Sequence, residues 1–336
     1  MLWQTLQQSV ELGWSFYLPV ILFVALCALG VPVWASIGAS AVAMMVMSDV
    51  LPLALLGESL FDGIDAFALT AVPLFILTGD VLVRTGLSRK FLNVAEALTN
   101  WTRGGFGSAT VLVCGMFSAI SGSDAAGAAA VGRMTIDRLV ESGYPRPYAC
   151  ALVAAGACTG ILIPPSIAYI IIGLVLGISA STLFQAALIP GVLILTSILV
   201  TNIIINRRMA YESGNQIGFR EWLMQLGVAV RDGWYAFLVP GIIFAGIFSG
   251  RFTPTEAGAT AVVVTIIMGF MLGTLKLSDF PSMLISSAKV NGVILPIIAF
   301  SLPLAQTLAA MGGRPGLVSR VTSIIDNPSL LILLMI

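Results

Sequence analysis

The sequence predicts an all-α polytopic membrane protein, and three observations support this fold class. Only 10% of the 336 residues are charged, against roughly 25% in ordinary soluble domains. Apolar residues make up 58% of the chain, and the mean hydropathy is +1.02. These residues lie in long charge-free runs such as 147–206. A water-soluble fold could not bury that much apolar surface, so we expect the helices to cross a bilayer.

Charge-free windows place the crossings in order along the chain. A helix needs about 20 apolar residues to cross the hydrocarbon core. Residues 12–48 have room for one crossing and most of a second, and residues 147–206 fit two crossings joined near 177–179. Further crossings are predicted at 69–83, 233–250, 257–275 and 290–313, and another begins at 327–336.

The distribution of basic residues favours one orientation. They concentrate in four connections, whereas the loop with Glu58, Asp62 and Asp65 contains none. Because Lys and Arg favour cytoplasmic loops, we expect the basic connections in the cytoplasm and the acidic loop and N-terminus outside. One outer segment disagrees with this orientation, since it holds Arg314 and Arg320.

Residues 105–133 lie between two basic connections that are both expected in the cytoplasm. A single crossing would place its two ends on opposite sides of the membrane, so it does not fit this segment. We expect a re-entrant hairpin with one arm at Gly107–Ile120 and the other from Ala125 to about Leu139. Irregular backbone at membrane depth occurs only against protein or a water-filled cavity, and an acidic residue there indicates a binding site. The alternative is a small-residue helix contact in which the serines only satisfy the backbone. The turn of this hairpin is Ser121, Gly122, Ser123 and Asp124.

The next crossing contains the segment TGILIPPS, from Thr159 to Ser166. Its two consecutive prolines remove two backbone donors and clash with the preceding turn, so we expect the helix to break there. Carbonyls around Thr159 to Leu162 would lose their partners and face an ion. The helix that starts at Pro165 and Ser166 would offer N–H groups to an anion. The alternative is a structural kink.

The polar turn and the broken helix together supply the candidate binding residues. Both are predicted near mid-membrane, and they are the parts that a secondary transporter needs. No Arg stands at either candidate site. The candidate substrate- and ion-binding residues are Ser121, Gly122, Ser123, Asp124, Thr159, Gly160, Pro164, Pro165 and Ser166.

The composition excludes several classes of chemistry. The chain has no His, which removes Ser-His-Asp and Cys-His nucleophiles and most catalytic zinc sites. Its four Cys residues show no Cys-x-x-Cys spacing. Sixteen Lys and Arg balance sixteen Asp and Glu, which does not suit nucleic acid. We therefore expect no enzyme, no catalytic residue and no cofactor.

Two pairs of segments indicate an internal repeat. The segment from Pro19 resembles that from Pro240, and the segment around Pro73 parallels that around Pro296, so the offsets are 221 and 223. Five crossings and one hairpin separate the starts of the two copies. Because the number of crossings is odd, the second copy would have the inverted orientation in the membrane. The alternative is that any two hydrophobic helices look alike. The second copy lacks its own hairpin and broken helix, so we expect a truncated sequence.

The repeat predicts a division into domains. Residues 1–205 form the first repeat, 206–232 a cytoplasmic connection and 233–336 a partial second repeat. Within the first repeat, helices at 13–56 and 182–205 form a scaffold, and residues 84–176 hold the hairpin and broken-helix transport elements.

Two other helices have local signals. Residues 84–103 are predicted to form an interfacial amphipathic helix, with the alternative of a plain surface helix. Thr253 or Thr255 is expected to cap the helix beginning at Pro254, with Glu256 in its first turn. The apolar face of the amphipathic helix comprises Leu87, Phe91, Val94, Ala95 and Leu98.

Three stretches resemble the large membrane subunit of tripartite ATP-independent periplasmic (TRAP) transporters. They are FSAISGSDAAGAAAVG, GYPRPYACALVAAGACTGILIPPS and GRFTPTEAGATA, in the family order. The resemblance implies a multi-pass permease of the bacterial inner membrane that imports organic anions, of the C4-dicarboxylate or sugar-acid type, with sodium as coupling ion and an elevator-like motion. It also implies two partners, a small four-helix membrane subunit and a periplasmic substrate-binding protein.

The resemblance further implies where sodium binds. We expect it at Ser121, Ser123, Thr159 and Gly160, beside the carboxylate of the substrate. Two alternatives remain at this point. One is a stand-alone ion-coupled carrier that needs no binding protein, and the other is a membrane-embedded enzyme or redox-complex subunit, for which the chain lacks His ligands.

Overall fold

The computed structural model describes residues 14–102, 104–212 and 218–311, and the regular structure within these ranges is helical. Six helical segments are long and apolar enough to cross a membrane, which confirms the polytopic all-α class. The crossing predicted at 327–336 and the residues Arg314 and Arg320 lie outside the described residues. The six segments are Phe67–Arg84, Arg146–Leu176, Ala180–Met209, Phe219–Phe248, Pro254–Met271 and Leu277–Ala310.

Fourteen α-helices follow one another along the described ranges. The first seven are α1 (Trp14–Ala28), α2 (Val33–Ser48), α3 (Leu55–Ile64), α4 (Ala71–Arg84), α5 (Leu87–Thr99), α6 (Gly105–Ser121) and α7 (Asp124–Glu141). The others are α8 (Arg146–Leu162), α9 (Ile167–Leu176), α10 (Ala180–Met209), α11 (Phe219–Gly233), α12 (Leu238–Phe248), α13 (Pro254–Met271) and α14 (Phe280–Ala310). Short 3-10 helices occupy Phe67–Thr70, Trp234–Phe237 and Leu277–Asp279.

The chain divides into two compact units, one of residues 1–66 and 292–336 and one of residues 67–291. In the first unit, Trp34 and Phe300 stack with ring centroids 6.1 Å apart. Ser59 donates a 2.7 Å hydrogen bond to Oε1 of Gln306. The second unit contains helices α4 to α13 and the start of α14. The repeat boundaries at 205 and 232 stay predictions.

Local signals explain two helices of the second unit. The Thr253 hydroxyl accepts a hydrogen bond from the N–H of Glu256, whose carboxylate accepts from the N–H of Thr253 at 2.8 Å. This capping box starts α13 and confirms Thr253 as its cap. Helix α5 lies within the amphipathic segment and buries Phe91 as predicted, but Leu98 is 45% exposed, because it lies in the last turn, beyond the buried part of the face.

A carboxylate from outside α6 caps the first turn of that helix. Glu212 accepts hydrogen bonds from the N–H of Phe106, at 3.0 and 3.2 Å, and from the hydroxyl of Tyr144, at 3.0 Å. A negative charge at this end satisfies an unpaired N–H and complements the helix dipole. Burial and the charge of Glu212 raise the pKa of Tyr144, so its hydroxyl stays protonated and able to donate.

The N-terminal end of α6 is also hydrogen-bonded to the long helix α10. Nδ2 of Asn202 donates to the carbonyl of Gly104 at 3.2 Å and to the hydroxyl of Ser108 at 3.0 Å. Asn206, one turn later, exchanges two hydrogen bonds with the backbone of Glu212. The start of α6 is therefore fixed by side chains that come from the end of α10.

Replacing Glu212 with Gln is expected to lower the thermal unfolding midpoint. The amide keeps the shape but loses the charge, and a hydrogen bond to a charged group contributes roughly 1.5–3 kcal/mol. Glu221→Gln is the matched control, because Glu221 is exposed in the first turn of α11. Equal midpoints for the two variants in detergent would show that the cap on α6 does not stabilise the fold.

Candidate ion- and substrate-binding site

The polar turn between α6 and α7 is short and tightly specified. Helix α6 ends at Ser121 and α7 begins at Asp124. Gly122 has φ of +64°, a left-handed conformation that favours glycine. Ser123 is extended, and its hydroxyl accepts a hydrogen bond from the N–H of Ala126 at 3.3 Å, which caps α7. The predicted arms differ from these helices by one or two residues at each described end.

The predicted break also occurs, between Leu162 and Ile167. In a continuous helix the carbonyls of Gly160 and Ile161 would accept from residues 164 and 165, but both are prolines without N–H groups. The expectation that the carbonyl of Thr159 loses its partner is wrong. That carbonyl accepts from the N–H of Ile163 at 2.9 Å, because Ile163 still has a backbone donor.

The structure brings the turn and the break together. A Cβ added to Gly122 would lie 2.6 Å from Cγ1 of Ile167, the first residue of α9. A Cβ added to Gly160 would lie 2.8 Å from the Cα of Ser118, near the end of α6. The carboxyl group of Asp124 lies beside the backbone of Ile161. The two glycines are thus required for close approach of the chain segments.

Three buried oxygen atoms at this junction have no hydrogen-bond partner among the described residues. They are Oγ of Ser118, Oδ1 of Asp124 and Oγ of Ser166. Ser118 and Ser166 are almost fully buried. Buried polar atoms are normally hydrogen-bonded, so such a group calls for a ligand or an ordered water. Hydroxyls, carboxylates and unwound carbonyls are the groups with which broken helices coordinate sodium.

The other predicted hydroxyls are already engaged. The Ser121 hydroxyl contacts the carbonyls of Ser118 and Ser123 at 3.4 and 3.3 Å. The Thr159 hydroxyl donates to the carbonyl of Gly156 at 2.7 Å. Both oxygens keep lone pairs, but their protons serve the backbone. Pro164 and Pro165 are buried and shape the break without offering a polar side chain.

Ser118 is the residue that the sequence analysis missed. It lies three residues before Ser121 and therefore on the same face of α6. Its side chain is packed against both Gly127 and Gly160. The sequence did offer one signal for Ser118, since its spacing places it on the same helical face as Ser121. Its burial could not be predicted, because the glycines that pack against it, Gly127 and Gly160, come from two other helices.

A cavity of about 180 Å³ lies beside the same turn. Ser121 and Ser123 of the turn contribute to its wall. Arg133 of α7 also lines it, so an arginine does lie next to the candidate site, contrary to expectation. Arg133 lies ten residues after Ser123 in the sequence, and this separation hid the fact that both line one cavity. The remaining wall comes from Ile76, Gly79, Asp80, Val83, Phe117, Ala126, Ala129, Ala130, Ser286, Ser287 and Val290.

The donor set suits an alkali cation better than a transition metal. Within the described residues, no three His, Cys, Asp or Glu side chains come together in a way that could hold a metal ion. The junction instead offers one carboxylate and several neutral oxygens. Neutral oxygen donors with few charges match a hard, weakly bound cation.

Fold and site together define a class of protein, a multi-pass helical membrane protein in which a polar turn lies against a proline-broken helix. The chain belongs to the family of the tripartite ATP-independent periplasmic transporter, DctM component, whose model matches residues 20–336. Membership confirms the resemblance seen in the sequence. It makes the chain a multi-pass protein of the bacterial inner membrane, from a family of transporter permeases and not of enzymes.

Individual relatives carry different substrate names. A C4-dicarboxylate TRAP transporter large permease protein of Pseudomonas aeruginosa is 33% identical over 83% of this chain and 64% of its own length. An isethionate TRAP transporter permease protein of Oleidesulfovibrio alaskensis is 31% identical over 84% of this chain and 45% of its own length. A sialic acid TRAP transporter large permease protein of Vibrio cholerae is 30% identical over 91% of this chain and 71% of its own length. The chain thus spans less than two thirds of the first two relatives.

Gly160→Ala is expected to destabilise the junction. The added methyl group would meet the backbone of Ser118, with its carbonyl carbon 2.7 Å away, so a rotamer change cannot relieve the clash. Overpacking of this kind costs about 1–3 kcal/mol. Gly241→Ala in α12 is the control, because a Cβ there meets nothing within 4 Å. Thermal unfolding of both variants tests the contact, and an unchanged midpoint for Gly160→Ala would contradict it.

Proposed function

We propose that the chain is the permease part of a sodium-coupled, binding-protein-dependent secondary transporter that imports organic acid anions. The observation that carries this proposal is that the two segments which meet at the polar turn and the broken helix hold three buried oxygens without hydrogen-bond partners among the described residues, from Ser118, Asp124 and Ser166. Family membership supports the transport role. The names of the relatives support an anionic substrate of the C4-dicarboxylate, sulfonate or sugar-acid type.

Sodium is proposed to bind between the turn and the break. The carboxylate of Asp124 supplies the negative charge, and the hydroxyls of Ser118 and Ser166 with the carbonyls of Gly160 and Ile161 supply neutral oxygens. These groups come from two separate segments of the chain. A cation that binds both must hold them together, and removing it leaves their oxygens unsatisfied.

The substrate anion is proposed to bind near the cation. The N-terminus of α9 offers free N–H groups and the positive end of the helix dipole, because Ser166 makes no side-chain cap there. A sodium ion beside these groups adds a full positive charge. Bound sodium therefore raises the affinity for a carboxylate, and by reciprocity the carboxylate raises the affinity for sodium.

The proposed movement uses α6 and α7 as a re-entrant hairpin. Residues 84–176 would move in an elevator-like manner as the transport elements, against a scaffold of 13–56, 182–205 and 233–275. The proposed partners are a small four-helix membrane subunit and a periplasmic substrate-binding protein. The name of the isethionate relative, DctMQ, supports a second membrane component.

Sodium is expected to raise the thermal unfolding midpoint of the purified chain over that in choline chloride of equal ionic strength. Asp124→Asn and Ser166→Ala should each lose most of this sodium-dependent shift, since each removes one ligand. Asp137→Asn is the control, because Asp137 lies on the same helix but is exposed and pairs with Arg146 at 3.4 Å. A full sodium shift in Asp124→Asn would overturn the proposed ion site.

Transport itself is tested in proteoliposomes that contain the permease, the small membrane subunit and the binding protein. Uptake of radiolabelled succinate is expected to require an inward sodium gradient and to fall at least about tenfold in a Ser123→Ala, Asp124→Ala variant. Uptake without a sodium gradient would contradict the coupling. Sodium-driven uptake without the binding protein would instead identify a stand-alone carrier.

A further inference from the structure

The cavity beside the turn is lined by one arginine, Arg133, that forms no ion pair among the described residues. Its Nε donates to the carbonyl of Ala129 at 3.1 Å. The acidic residue in the wall, Asp80, is paired with Arg84 at 3.0 Å. Arg84 also donates to Ser282 at 2.9 Å, which fixes that pair. The cavity therefore has a net positive charge.

The geometry of α7 places Arg133 at the wall of the cavity. Ala126, Ala129, Ala130 and Arg133 share one face of the helix, so three methyl groups leave open the space that larger side chains would fill. Side chains on a helix lean toward its N-terminus, and the contact of Arg133 with Ala129 follows that direction. Arg133 is an exposed residue, and this contact holds its Nε against α7 at the wall of the cavity.

A buried hydroxyl completes the polar wall. Ser287 of α14 is 6% exposed, lines the cavity and has no hydrogen-bond partner for its Oγ among the described residues. Ser286, Ser121 and Ser123 add further hydroxyls. Hydroxyls donate to anionic oxygens at little cost, since their hydrogens rotate to suit the ligand. The rest of the wall is apolar, which favours the carbon skeleton of an organic ligand.

We infer that Arg133 binds the carboxylate of a small organic acid in this cavity, with Ser287 as a second donor. No residue of α9 lines the cavity, so the N-terminus of that helix would act on the bound anion through its dipole and not by direct contact. This inference rests on the proposed function and specifies its substrate. A guanidinium group presents parallel N–H donors that match a carboxylate. The volume of about 180 Å³ is below the roughly 300–1,000 Å³ of pockets for drug-sized ligands. An acid of a few carbon atoms fits this volume.

The position of the cavity links it to the ion site. Ser121 lines the cavity, and its hydroxyl contacts the carbonyls of Ser118 and Ser123 within the turn. The turn also packs on α4, because a Cβ at Gly79 would lie 2.7 Å from Cβ of Ser121. A cation bound between the turn and the broken helix would order the turn, and it would thereby position the hydroxyls of Ser121 and Ser123 in the cavity wall.

The test measures binding of succinate to the full chain in lipid nanodiscs with sodium present. Arg133→Gln is expected to weaken succinate binding about tenfold or more, since a hydrogen bond to a charged group is lost. Arg133→Lys should restore part of the affinity, because it keeps the charge but not the paired donors. Arg89→Gln, on an exposed position of α5 outside the cavity, should bind like the unmodified chain. Succinamide, the uncharged analogue, should not compete.

Four outcomes would overturn the inference. The first is unchanged succinate affinity in Arg133→Gln, and the second is tighter binding of sialic acid than of succinate. The third is no succinate binding by the unmodified chain while sodium still raises its thermal midpoint, which leaves the proposed ion site standing. Loss of the sodium-dependent shift in Arg133→Gln would also count against it, because that variant should alter the anion site alone. Absence of any sodium-dependent shift in the unmodified chain would instead reject the proposed function.

Discussion

Two proline nitrogens without hydrogens determine much of this structure. Within a bilayer every backbone polar group must find a partner inside the protein, since water is absent. Pro164 and Pro165 remove the donors for two carbonyls of α8 and end the helix at Leu162. Such a break is tolerated only where other protein or a polar cavity covers it. The turn between α6 and α7 provides that cover, and the glycines at positions 122 and 160 allow it to approach closely.

The same features explain what could be predicted from the sequence. The crossings, the break and the polar turn depend on residues that are close in the chain, so charge-free runs, Pro-Pro and Ser-Gly-Ser indicated them. The roles of Ser118 and Arg133 depend on contacts between helices. Ser118 meets glycines of α7 and α8, and Arg133 shares a cavity with Ser287, more than 150 residues away. A single sequence holds no signal for such pairs.

The hydrogen bonds at the base of α6 constrain any movement of the hairpin. Asn202 of α10 holds Gly104 and Ser108, and Glu212, just after α10, caps the first turn of α6. If residues 182–205 stayed fixed while 84–176 moved, these bonds would have to break in every cycle. Breaking a buried, charge-assisted set of bonds is costly. The contacts therefore favour movement of Asn202 and the end of α10 together with the hairpin, so that the part of α10 which acts as proposed scaffold would end before Asn202.

The proposed ligands also account for the charges at the site. Asp124 and Arg133 together have no net charge when both are unoccupied. One sodium alone would leave a net positive site, and one carboxylate alone a net negative one, and either is expensive to carry through a low-dielectric region. Only the empty site and the doubly occupied site would be neutral, so the proposed movement with one ligand would be disfavoured and the proposed ion would be coupled to the proposed anion. The same balance requires an additional cation for the second carboxylate of a dicarboxylic acid, because the described cavity wall offers no other unpaired positive side chain.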